Sequence, residues 1–219
     1  MKRLLLLSFL CLAFVLAAQA QTISKINFDA LKTAVAYSKS PYYYPNLLKR
    51  YHANDPTLNA EEYKHLYYGW TFQPGYNPYK PNLQADALNE MMLYEKFPEI
   101  IATGKKLLQT DPFNTDVMYL LHMAYGEMNK PAESKSWLTK FDGVMNAIKA
   151  SGNGKTPEEA VVIIAPRDTY MFLTVVNLRQ ASSAQLVDNK YHLVPVKTPN
   201  QHNYTQVYFN IQKALARKK

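Results

Sequence analysis

Asn27 stands just ahead of Phe28, Leu31 and Val35, an apolar series at helical spacing that predicts an amphipathic helix with a capping side chain, stopped by Pro41. A second, short helix is expected from Pro45 through Leu47, Leu48 and Tyr51. The third has the clearest local signature: Asn59 as N-cap, Glu62 completing a capping box, Leu58 placed to staple onto Tyr63, and Gly69 as the stop. From Trp70 to Pro81, prolines and Gly75 break any period. Trp70, Phe72, Tyr76 and Tyr79 give that stretch rings to bury, which predicts an ordered loop rather than a linker.

Beyond it the helical pattern lengthens. Leu83, Ala87, Met91 and Tyr94 mark one face; Pro98 can open the next helix ahead of Ile101, Leu107 and Leu108, until Asp111 and Pro112 break it. Asn114 and Thr115 start another, along Met118, Leu121 and Tyr125, and Pro131 restarts the chain along Leu138, Phe141, Met145 and Ile148, closed by Gly152 and Gly154. Helices joined by short, proline-marked turns resemble tetratricopeptide-like hairpins over about residues 83–150. Two hairpins are too few for the long peptide groove of a repeat array, so they are expected to serve packing.

After Gly154 the period falls towards two. Ala160 to Ala165 is a β-branched run in which helix and strand compete, because Thr156, Pro157 and Glu159 also form a capping signature; Asp168 to Asn177 leans to a short helix. Strands are expected at Ala184–Val187, Tyr191–Val196 and Gln206–Ile211, the first two joined as a hairpin through Asp188, Asn189 and Lys190. The fold class read from this pattern is α+β, mostly α: a helical region over 21–150, then a small antiparallel sheet in 151–219, packed together as one unit.

The first 20 residues are set apart. Lys2 and Arg3 precede an apolar run from Leu4 to Leu16 and an Ala18-Gln19-Ala20 cleavage site, the pattern of an export leader, with the mature chain starting near Gln21 in the periplasm or outside the cell. The run is short for a membrane span, and no later segment is apolar enough for one. Cys11, the one cysteine in the chain, lies inside this run without the small residues a lipoprotein site needs, so the mature chain has no thiol for disulfide, metal or nucleophile. Residues 21–150 carry 14 basic and 13 acidic side chains and residues 151–219 carry 9 and 4, so the net charge of +8 is concentrated in the leader and the C-terminal third. Arg217, Lys218 and Lys219 make part of that excess a terminal tail, and no basic patch with stacking rings points to nucleic acid.

No catalytic motif stands out. His52, His65, His122, His192 and His202 show no metal-ligand spacing, no Gly-rich nucleophile elbow or phosphate loop is present, and no metal or cofactor is implied. His65 is the best catalytic candidate, because Asp55 or Glu62 could serve it as a carboxylate partner in a hydrolase. The compositional anomaly is aromatic: ten of the 17 tyrosines fall between Tyr37 and Tyr79. A tyrosine has an apolar ring and a polar tip, so this cluster can line a binding face or cement a helical layer.

The block Leu47-Leu48-Lys49-Arg50-Tyr51, then Asp55, Leu58 and Glu62-Tyr63-Lys64-His65-Leu66-Tyr67-Tyr68-Gly69, resembles an exported Bacteroidetes family catalogued as domain of unknown function 4919. The likeness continues through Tyr94-Glu95-Lys96-Phe97, Ser151-Gly152-Asn153-Gly154, Gln185-Leu186-Val187 and Tyr208-Phe209-Asn210. It implies an envelope setting and a helical front before a small sheet, and it supplies no activity. The expectation is a non-enzymatic binding or scaffold protein engaging an envelope peptide, protein or glycan, with Arg50, Tyr63, His65, Tyr67, Tyr68 and Trp70 as binding candidates and the His65 hydrolase as the alternative.

Overall fold

In the computed structural model, which describes residues 25–79 and 83–217 and gives only the backbone course for 83–86, the chain follows its caps closely. The leader expected over 1–20, Pro81, the Leu83 side chain and the terminal Lys218 and Lys219 lie outside what is described. Asn27 accepts from the amides of Asp29 and Ala30 and opens α1 (Phe28–Ala36). Helix α2 (Tyr44–His52) carries Pro45 in its first turn, where a missing N–H costs nothing. Both halves of the capping box at Asn59 and Glu62 form at the start of α3 (Ala60–Gly69), which runs on into a 3₁₀ turn at Trp70–Phe72.

Helices α4 (Leu83–Leu93), α5 (Phe97–Thr110), α6 (Thr115–Glu127) and α7 (Pro131–Ala150) pack each on the next, and α7 also packs on α3. Two apolar faces differ from expectation. Tyr94 does not extend the buried face of α4: the helix ends at Leu93, Glu95 turns the chain at φ 55°, and Tyr94 is 66% exposed while Leu88 is wholly buried. In α5 the core line is Ile100, Gly104 and Leu108, with Ile101 and Leu107 only half-buried. Gly104 explains the shift, since a side chain there would press on Leu121, so α6 makes its closest approach at the bare glycine.

The sheet has strand order β1-β4-β3-β2, built from β1 (Val161–Val162), β2 (Gln185–Val187), β3 (Tyr191–Pro195) and β4 (Gln206–Asn210). Strands β2, β3 and β4 are antiparallel neighbours, and Asp188 and Asn189, both at positive φ, make the tight β2–β3 turn. The sheet is nevertheless mixed rather than antiparallel, because β1 pairs parallel with β4. A parallel pair requires a long connection, and α8 (Asp168–Val175) with the β2–β3 hairpin supplies it. All of Ala160–Ala165 is buried, so the run behaves as an interior segment and only two of its residues pair as strand. A short α9 (Gln212–Leu215) closes the described chain, and no helix among the described residues is long and apolar enough to cross a membrane.

Candidate functional site

The short β1 leaves a backbone problem that the tyrosines solve. Past Ile163, whose amide donates to Asn210, the chain has left the sheet while still wholly buried, and its polar groups need partners. Tyr68 donates its hydroxyl to the Val162 carbonyl at 3.0 Å, Tyr76 donates to the Ile164 carbonyl at 2.6 Å, and the Ile164 amide donates to the Tyr67 oxygen at 3.1 Å. Tyr67 in turn donates its hydroxyl to Asp168 Oδ2 at 2.6 Å, and the Ala165 amide donates to the same oxygen. Tyr44 and Tyr51 likewise bond the carbonyls of Leu66 and Pro112. Tyr67 and Tyr68, both expected as binding residues, are 0% exposed, and their polar tips are committed to the interior. Trp70 is half-buried, closing over Gly75 and meeting Phe113 edge-on.

Arg50, Asp55 and Glu62 form a second polar network, which ties the end of α2 to the start of α3. The guanidinium donates to Asp55 Oδ2 at 2.6 Å, to Glu62 and to Thr57, while Glu62 also accepts from the Asn59 amide. Bonds from Thr57 and Arg50 hold the Asp55 carboxyl well below the usual carboxylate range. Both carboxylates offered to His65 as partners are thus engaged elsewhere. His65 is buried, stacks on Tyr42 with ring centroids 3.8 Å apart, and donates Nδ1–H to the Glu61 carbonyl at 2.8 Å; its nearest carboxylate is Glu61, not Asp55 or Glu62. Burial lowers its pKa, and it borders none of the larger cavities described. His122 is held across the α6–α7 contact by Ser134, which donates to the His122 carbonyl and lies 2.8 Å from its Nδ1.

A groove of about 1080 Å³ is walled by α4, α6 and α8. Leu93, Tyr119, Met123, Tyr170 and Val175 border it, with exposures from 37% for Met123 to 81% for Leu93. Arg167 reaches its floor with Nη2 at 2.8 Å from Asp111, while Arg167 Nε has no hydrogen-bond partner among the described residues. Beside it Asp168 is fully buried, and its Oδ1 and the Thr169 hydroxyl are also unpartnered. Burial pushes the Asp168 carboxyl up to about 6, against the pull of Arg167 and the Tyr67 bond. The groove therefore combines apolar walls with the Arg167 guanidinium at its lining, while Asp168 and Thr169 are not among its lining residues.

Residue patterning did not single out this groove. Its one sequence signal was Arg167-Asp168, a charged pair directly after the apolar run 160–165, where a helix start would bury it. No grouping of His, Cys, Asp and Glu among the described residues is suited to hold a metal ion.

The profile of the family described as Domain of unknown function (DUF4919) matches residues 29–219, and the chain belongs to that family. No curated protein and no solved structure matches it.

Proposed function

We propose that this is an exported, non-enzymatic binding protein of the bacterial envelope that holds a partner polypeptide by taking one of its apolar helical segments into the groove between α4, α6 and α8. The observation that carries this reading is the clustering of exposed apolar groups. Leu93, Tyr119, Met123, Tyr170 and Val175, five of the nine exposed large hydrophobic side chains among the described residues, border one groove. Isolated surface hydrophobics are ordinary, whereas a contiguous patch marks an interaction surface. The volume of about 1080 Å³ lies at or above the roughly 300–1,000 Å³ of small-molecule pockets, and helix walls of this kind receive an amphipathic helix through anchors one turn apart. Lys2, Arg3 and the apolar run that follows them support export, and the tripartite order of leader, helical front and small sheet supports an envelope protein.

Selection from a random-peptide display library tests the proposal. Enriched peptides should carry apolar residues at helical spacing, and Leu93→Asp with Tyr170→Glu should weaken their binding by about ten-fold or more. Failure to enrich any sequence, or enriched peptides that bind the double variant equally well, would overturn it.

A further inference from the structure

A separate cavity of about 520 Å³ opens between the turn after α2 and the first half of α7. Gly143 lets α7 lie directly on the Tyr63 ring, and one turn earlier this brings Lys140 against the α2–α3 layer. Lys140 is only 6% exposed, with its ammonium 4.6 Å from the Tyr51 ring centroid and 4.8 Å from that of Trp137. Among the described residues it forms no ion pair and donates no hydrogen bond. The two ring faces attract the charge, but they leave its N–H donors without an oxygen acceptor in a place that water reaches poorly. An anion entering the cavity would supply one.

The remaining lining narrows the kind of anion. Trp137 brings a half-buried ring to the lining, while Asn54, Asp55 and Ser136 bring hydrogen-bonding groups to it, Asp55 being fixed there by Arg50 and Thr57. The rim carboxylates of Asp55 and Glu133 are offset by Lys105 and Lys135, so Lys140 is a surplus positive charge. A ligand with one carboxylate, an apolar ring face and several hydroxyls matches these three features together. We propose that the cavity binds an acidic sugar, a hexuronate, with its carboxylate on Lys140 Nζ and its pyranose face against Trp137. No lining residue is shared with the α4–α6–α8 groove, so the two proposals stand or fall separately.

Tryptophan fluorescence of the full mature chain should change saturably on titration with D-galacturonate, D-glucuronate or a tetragalacturonate, and galactose should bind at least about ten-fold more weakly. Saturation by the free acids identifies a monosaccharide ligand, and saturation by the tetrasaccharide alone identifies a glycan end; either supports the site. Lys140→Gln and Trp137→Leu should each weaken binding by about ten-fold or more. In the unmutated protein, the labelled Lys140 Cε resonance, assigned through Lys140→Arg, should follow the same saturation curve, which keeps the test independent of the variants' folding. Equal binding of galactose, an identical response to acetate, a Lys140 resonance that does not move, or no saturation by any of the acids would overturn the proposal.

Discussion

Between Tyr37 and Tyr79 the aromatic rings mostly turn inward, whereas between Leu93 and Val175 large apolar side chains remain at the surface around one groove. Tyr44, Tyr51, Tyr63, Tyr67, Tyr68 and Tyr76 are buried, and five of these hydroxyls bond groups far away in the chain. The front of the molecule thus uses amphipathic rings to bring hydrogen bonds to a buried segment that the sheet pairs only in part. Around the groove the exposed residues include Leu93, Met123 and Val175, which have no polar tip to satisfy, and their exposure needs another explanation. An excess of aromatic residues does not by itself mark a binding face; where each ring points decides it.

The sharpest way to break this contrast is at Tyr67. Tyr67→Ala removes a wholly buried ring and should cost about 3–5 kcal/mol of unfolding free energy, read from a urea melt followed by circular dichroism. Tyr67→Phe keeps the ring but leaves the Ile164 amide and Asp168 short of a partner, and should cost about 1–3 kcal/mol. A negligible loss for the hydroxyl deletion would mean the tyrosines act by packing alone.

Asp168 comes next. Its carboxyl, raised from 3.8 to about 6, keeps its proton in the folded chain at pH values where the unfolded chain has released it. Its stabilising contribution is complete below about 3.8 and is lost as pH rises through about 6, an amount of about 3 kcal/mol for a shift of this size. Urea melts from pH 4 to 7 should show that decline, and Asp168→Asn should flatten it. Persistence of the full slope in the variant would assign it to another group.

A smaller effect is expected at Asn59, whose side chain accepts from the Glu62 amide: Asn59→Ala should cost about 1 kcal/mol of stability. Smallest of all, Tyr170→Ser in the groove should shift stability by less than about 0.5 kcal/mol, because its ring is 67% exposed. A large loss there would show that the groove wall belongs to the core.

The caps show how far local chemistry carries. Asn27, the Asn59 and Glu62 box, and the prolines at 45, 98 and 131 locate helices through contacts within a few residues, and the structure forms them there. The β1 run could not be read in the same way, since its parallel pairing with β4 depends on a partner 48 residues further on. Lys140 shows the same limit at the level of a side chain. A lysine in a helix ordinarily reads as solvated, although Lys140 sits three residues after Trp137 and four before Val144, on the buried face of α7. That spacing was the available signal, and only the approach of Tyr51 from α2 sets a ring against its ammonium beside the cavity.

Order along the chain therefore determined the helix boundaries, the α+β class and the family, because caps, turn residues and hydrophobic period act over one or two turns. Tertiary structure alone decided that Tyr67 and Tyr68 serve the backbone of 162–164, that Arg50 holds Asp55 and Glu62, and that Lys140 faces a cavity. These outcomes join residues up to 97 positions apart, and a contact of that range is set by how whole helices lean on one another.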